Sequence, residues 1–300
     1  MKKRYPYLWA VIYGFILSAY TVWMMLDTFV IEKNVVVLEE VAPASTPLPT
    51  KESESGVQAS DHSYTSGSIQ IDISQDRVND TNIFVADVKI DNISRLRAGL
   101  ADGKLGRNVK APTSQIAEEN KAILAINGDF YGYRDDGYVM RNGYLYRDVP
   151  RTSNVADDLA ILKDGSFLLF DEKFTTASQI ANKGALQIFS FGPILIEDGK
   201  IIEEENTSRR HFMSSPRTAI GLLEPLHYLF VVSEGRSYES RGIKMWEMAE
   251  YLMEKGCKQA YNLDGGGSTT MWFNGQLVNK PTDGRMDGER KVSDIIYVGE

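Results

Sequence analysis

Two short segments carry most of the chemistry open to this chain. Asp264-Gly265-Gly266-Gly267-Ser268-Thr269 sets a carboxylate, three glycines and two hydroxyls directly after the apolar run Gln259-Ala260-Tyr261-Asn262-Leu263. Consecutive glycines lose backbone entropy on ordering, and what they permit is close approach of another group to the main chain. Their N–H groups can point at phosphate oxygens, with Ser268 and Thr269 as hydroxyl donors and Asp264 as an acid or base. A tight turn between two strands has the same composition, so this segment alone does not decide the matter.

Asn127-Gly128-Asp129-Phe130-Tyr131-Gly132 repeats the form: an apolar strand, Ala122-Ile123-Leu124-Ala125-Ile126, ends in a glycine turn presenting an amide, a carboxylate and aromatic rings. Amides and carboxylates hydrogen-bond sugar hydroxyls and rings such as Tyr131 stack on sugar faces; an Asx-turn over a buried Phe130 is the structural alternative. Two strand-end loops of this kind can give one carboxylate each to a shared cleft. A phosphate would need cations. Arg217 and Arg236 each flank an apolar strand and are the better guanidinium clamps, whereas Arg290 lies in a charge-rich loop. Glu234 is either a third acid or the ion-pair partner of Arg236, and His211 sits among arginines in an expected exposed loop.

The elements around these loops can be read from periodicity and turn residues. Ile69, Ile71 and Ile73 alternate with polar residues, and Ile83–Ile90, Leu159–Leu162, Phe167–Phe170, Thr218–Leu222 and Tyr228–Val232 read as further strands. Asp164-Gly165 and Asn274-Gly275 are hairpin turns. Thr113 or Ser114 can cap a short helix to about Glu119, and Ile243–Lys255 is a helix with Trp246, Ala249, Leu252 and Met253 inward, closed by Gly256.

Ahead of this domain, residues 7–31 are almost continuously apolar and long enough to cross a bilayer. Lys2, Lys3 and Arg4 precede them, so the segment reads as a signal anchor with the N-terminus cytoplasmic and the rest outside, a cleaved signal peptide being the alternative, although no small-x-small site directly follows the apolar run. Residues 32–67, with Pro43, Pro47 and Pro49 among small and polar residues, read as a disordered stalk. Residues 68–300 form one α+β domain. The net charge of -8 and pI near 5.1 argue against a nucleic-acid partner. Cys257 is the single cysteine and His62, His211 and His227 are the only histidines, which disfavours a thiolate or multi-histidine metal site. No cofactor is required by this reading; a divalent cation, if bound, would be held by oxygen ligands such as Asp129, Asp264 and Glu234.

Tyr261-Asn262-Leu263-Asp264-Gly265-Gly266-Gly267-Ser268-Thr269-Thr270-Met271, followed by Asn279-Lys280-Pro281, resembles the phosphodiester glycosidase family. Asn127-Gly128-Asp129-Phe130-Tyr131, Phe191-Gly192-Pro193, Pro216-Arg217-Thr218-Ala219-Ile220-Gly221 and Gly235-Arg236 add to the resemblance, which covers roughly residues 110–300 by motif order. Where relatives often read Asp-Gly-Arg, this chain has Glu234-Gly235-Arg236. The resemblance implies a mixed-sheet α+β fold and cleavage between an anomeric carbon and a phosphate oxygen. Two carboxyl groups, assigned here to Asp129 and Asp264, would do that work, in a family with bacterial members linked to exopolysaccharide. Arg217, Arg236, Asn127, Gly128, Tyr131, Asn262, Gly265, Gly266, Gly267, Ser268 and Thr269 would hold the glycan or sugar-1-phosphodiester. A non-catalytic glycan-binding module and a metal-assisted phosphodiesterase are the competing readings.

Overall fold

The computed structural model describes residues 7–34, 39–40, 57–152, 156–202, 213–284 and 286–300. Leu8–Phe29 is one 22-residue helix with none of its residues buried, long and apolar enough to cross a membrane. At 1.5 Å per residue it is about 33 Å long, close to the roughly 30 Å hydrocarbon layer.

Among the described residues, the domain is built on three larger sheets, and every strand pair in them is antiparallel. The largest has nine strands, in the order Lys200–Ile201, Ile194–Glu197, Gln259–Leu263, Arg217–Glu224, His227–Ser233, Thr81–Ile90, Ile69–Val78, Ser63–Thr65, Gln58–Ala59. A five-stranded sheet runs Gln276–Leu277, Met271–Phe273, Leu124–Asn127, Asp294–Val298, Leu96–Leu100. The six-stranded sheet runs Phe167–Asp171, Asp157–Leu162, Ala185–Phe189, Val139–Arg141, Tyr144–Arg147, Glu39–Glu40.

The period-two rule explains how the sheets assemble. Ile220, Phe230, Val232 and Tyr261 turn one way, into a shared core with Leu124, Ile126, Leu159, Phe189, Met271 and Ile296 from the other two sheets. Ala219, Leu229, Val231 and Ala260 turn the other way, onto the helix Met245–Glu254. Burial on both faces is why these strands read as continuous apolar runs, whereas Ile69–Val78 alternates because Gln70 and Asp72 face solvent. Thr113–Glu119 and Ala177–Asn182 cover the outer faces of the five- and six-stranded sheets in the same way.

The α+β class and the expected strands are present, and both hairpin turns form, with Gly165 and Gly275 at positive φ. Two helix details differ. In Met245–Glu254 the buried face is Met245, Met248, Ala249, Tyr251 and Leu252, leaving Trp246 and Met253 exposed, because the sheet claims the methionine side of the helix. The Thr113–Glu119 helix is capped by Glu289, which accepts from the Ser114 amide at 3.0 Å and from its hydroxyl at 2.5 Å. The stretch expected as a stalk also differs: Gln58–Ala59 and Ser63–Thr65 extend the large sheet, and Lys33–Asn34 pairs with Gly106–Arg107. Strand pairing to a preformed edge overrides a composition that could not fold alone. Residues 41–56 and His211 lie outside the described residues.

Candidate functional site

The site forms where strand ends from all three sheets meet, and Asn127 is the joint. Its buried amide donates to the Asp264 carbonyl at 2.6 Å, and its oxygen accepts from the Thr218 hydroxyl at 2.7 Å and the Thr270 amide at 3.2 Å. The next residue completes the junction: the Gly128 carbonyl accepts from the Asp264 amide at 3.2 Å, and a Cβ at Gly128 would stand 2.5 Å from Asp294 Oδ1. The two loops singled out in the sequence are thus one hydrogen-bonded unit.

Asp129 points inward. Its side chain has no exposed surface and lies 3.2 Å from Arg134 and 3.5 Å from Arg141. It accepts from the Phe130 amide at 2.5 Å and the Ser190 amide at 2.9 Å. Burial opposes its charge, but Arg134, Arg141 and these two amides outweigh burial and hold the carboxyl below its ordinary range. Arg141, itself buried, also donates through Nε to Asp294 at 2.6 Å and through Nη1 to the Ile188 carbonyl. Asp294 is pushed up to about 6 by burial and by the neighbouring Asp129 charge, against the pull of Arg141.

Asp264 is the less deeply buried of the two loop acids, 9% exposed against 2% for Asp129. Burial pushes its carboxyl up to about 6, aided by the charge of Asp129 and opposed by the Ser268 hydroxyl, which donates to it at 2.6 Å, and by Arg290. The three glycines after it each admit a different neighbour. A Cβ at Gly265 would come within 2.9 Å of the Pro216 carbonyl oxygen; at Gly266, whose φ is +65°, within 2.9 Å of the Arg236 guanidinium; at Gly267, into Asp283 and Arg290. Arg217 joins this cluster: burial and then the charge of Arg236 lower its guanidinium to about 10. Arg290, the weaker candidate in the sequence, is therefore in the site, bonded to Asp283 at 2.8 Å and sensing Asp264.

The aromatic surface comes from neighbours of Tyr131. Tyr131 is buried, its hydroxyl donates to the Ser293 carbonyl at 2.9 Å, and the Arg141 guanidinium lies 5.4 Å from its ring. Phe130 and Tyr133 stack at 4.5 Å and are half-buried, with Phe191 edge-on to Phe130 at 6.5 Å. Burial and the Asp264 charge raise the Tyr133 phenol, which ties this patch to the acid. The i, i+3 aromatic spacing in a 3-10 turn, which eclipses side chains, is the sequence signal that marks the pair.

The remaining candidates sit in the frame of the site. Glu234 is buried, accepting from Asn82 Nδ2 at 2.9 Å and from the Lys280 amide at 2.8 Å. Asn262 donates to the Gly192 carbonyl at 2.8 Å, while its Oδ1 and the hydroxyls of Thr269 and Thr270 are buried with no hydrogen-bond partner among the described residues. Among the described residues no three His, Cys, Asp or Glu side chains are grouped to hold a metal ion.

Comparison with known proteins gives this geometry a setting. At 30% identity over 189 residues, the chain is similar to the SPbeta prophage-derived uncharacterized protein YomE of Bacillus subtilis strain 168, covering 61% of this chain and 29% of that one. It is 35% identical over 211 residues to human N-acetylglucosamine-1-phosphodiester alpha-N-acetylglucosaminidase, covering 64% of this chain and 40% of the human protein. The chain thus spans less than half the length of these relatives. The catalytic domain of the zebrafish N-acetylglucosamine-1-phosphodiester alpha-N-acetylglucosaminidase, auto-inhibited by its pro-peptide, shares the fold, with a TM-score of 0.62 at 23% identity over 81% of this chain and 87% of that chain. The phosphodiester glycosidase profile matches residues 120–299, a span holding both strand-end loops, the glycine triplet and the arginines around it, and the chain belongs to that family.

Proposed function

We propose that the domain is an extracytoplasmic hydrolase that cleaves the glycosidic C–O bond of a sugar-1-phosphodiester. The observation that carries this reading is the pairing of a raised carboxyl, Asp264, with a glycine loop on which the Arg236 and Arg290 guanidinium groups lie. The arginines hold the phosphate and stabilise the charge it gains on departure; the Gly266, Ser268 and Thr269 amides, expected from the sequence to face it, donate instead to the Pro216, Gly265 and Gly266 carbonyls. Water attacks the anomeric carbon as Asp264 takes its proton; the C–O bond breaks, its electrons go to the phosphate oxygen, and free sugar and a phosphomonoester result. A phosphate is a good leaving group, so a second carboxyl at the anomeric carbon is dispensable. Asp129 is then a positioning residue, a fixed anion that keeps Arg134 and Arg141 in place and raises Asp264, and Glu234 holds the Arg236 loop. Phe130, Tyr133 and Phe191 offer the sugar a stacking face.

The apolar Leu8–Phe29 helix behind Lys2, Lys3 and Arg4 supports an anchored protein with its domain outside; a role in envelope or exopolysaccharide metabolism is proposed from the family resemblance alone. The human relative's name makes an N-acetylglucosamine-1-phosphodiester the first substrate to try. Hydrolysis in isotopically labelled water tests the reaction: label in the released sugar is expected, with no release by Asp264→Asn. Label in the phosphate would sink the glycosidase reading in favour of a phosphodiesterase, and retention of glycan without product would favour a binding module.

A further inference from the structure

The domain is stitched to the end of its apolar helix, without a free tether at that point. Asn108 donates from its side-chain amide to the Thr28 carbonyl at 3.2 Å and the Ile31 carbonyl at 2.9 Å, satisfying acceptors that a helix end leaves open. Immediately beyond, Lys33 and Asn34 pair with Arg107 and Gly106. Gly106 admits this strand, because a Cβ there would overlap the Lys33 carbonyl oxygen.

The same loop touches the candidate site. The Asn108 backbone amide donates to the Gly132 carbonyl at 3.0 Å, and the Lys110 ammonium lies 5.1 Å from the Tyr133 ring, whose phenol senses Asp264. One residue, Asn108, therefore links the outer end of the helix to the turn that bears the aromatic face.

Resting on the glycosidase reading and on a membrane-spanning Leu8–Phe29, we infer that the substrate is a sugar-1-phosphodiester carried on a membrane lipid, cleaved at the membrane surface. A helix long enough to cross the bilayer puts Thr28 and Ile31 at its outer boundary, and the Asn108 loop then rests on the headgroups. The site stands one loop above that layer. A phosphodiester held far out on a polymer does not meet it.

The test uses the full chain in phospholipid vesicles, with N-acetylglucosamine-1-phosphoryl lipids whose sugar phosphate is attached either directly or through a polyethylene glycol spacer. With a spacer of about 50 Å, turnover should fall at least about tenfold; a Gly-Ser insert of about 30 residues after Ile31, which behaves as a coil reaching about 30 Å, should erase most of that difference. Turnover of a water-soluble sugar-1-phosphodiester should be the same in both chains, which checks folding. Equal rates on the two lipids by the native chain would overturn the inference. Failure on the soluble substrate would instead overturn the glycosidase reading, and the substrate assignment with it. Docking itself has a readout free of turnover: Cys257 is buried, so a fluorophore on Lys291→Cys, beside Tyr133, should be quenched by headgroup-labelled lipid and lose that quenching with the insert. No quenching in the native chain would also overturn the inference.

Discussion

The amide of Asp129 donates to one oxygen of Asp294 at 2.8 Å while the other oxygen of Asp294 takes Nε of Arg141 at 2.6 Å. A single carboxylate thereby fixes both the loop that carries Asp129 and the guanidinium that neutralises it. Replacing Arg141 with Leu leaves two buried acids facing each other. We expect a loss of about 3–5 kcal/mol in stability, read as a lower urea midpoint. Adding Asp294→Asn to that variant should recover part of the loss.

Asp264→Asn keeps an acceptor for the Ser268 hydroxyl but cannot take a proton. Turnover should drop by about 10³-fold, with the fold intact by circular dichroism. Retained activity would remove Asp264 from its assigned role.

In the proposed mechanism the ionised form of Asp264 is the active one, and burial pushes its carboxyl up to about 6. kcat/KM should therefore rise with pH through a midpoint near 6 and then level; a fall across that range would make Asp264 a proton donor instead. Stability runs the other way. The folded chain binds Asp264's proton more tightly than the unfolded chain, so this contribution is complete below the ordinary 3.8 and is lost as pH rises through about 6. Asp264→Asn should melt above the wild type at pH 7.5, by on the order of 1–3 kcal/mol in stability, and converge with it near pH 4.

How far these roles were legible depends on the range of the interactions behind them. The glycine triplet, the hairpins and the Gly256 helix end are local, and sequence carries them. The inward turn of Tyr131 and the outward faces of Phe130 and Tyr133 depend on Ser293 and Phe191, contributed from far along the chain. Arg141 and Asp294, 153 positions apart, carry no local motif at all. Arg290 is hidden for the same reason: its charge-rich surroundings suggest solvent, and the approach of Gly267 and the Asp264 charge, both distant in the sequence, show otherwise.

Arg290 opposes the rise of the Asp264 carboxyl and also lies on the glycine loop. Arg290→Gln should cut kcat about 10- to 100-fold through lost phosphate stabilisation. It should also move the ascending limb of the pH profile above the wild-type midpoint. An unshifted limb with lowered kcat would assign Arg290 to phosphate alone.

Turnover by direct hydrolysis through Asp264 should survive exhaustive treatment with a chelator. Loss of turnover that a divalent cation restores would favour the metal-assisted phosphodiesterase.

The glycine triplet has a consequence for how this chain can change over time. Each of the three positions is closed by a different segment: the Pro216 backbone, Arg236, and Arg290 with Asp283. No single compensating substitution can open room for side chains at all three. A library randomised at Gly265, Gly266 and Gly267 and selected for turnover should return glycine at each, while the surrounding surface drifts. The signature that makes this loop recognisable is thus enforced by crowding from the segments packed behind it, whatever lies in front.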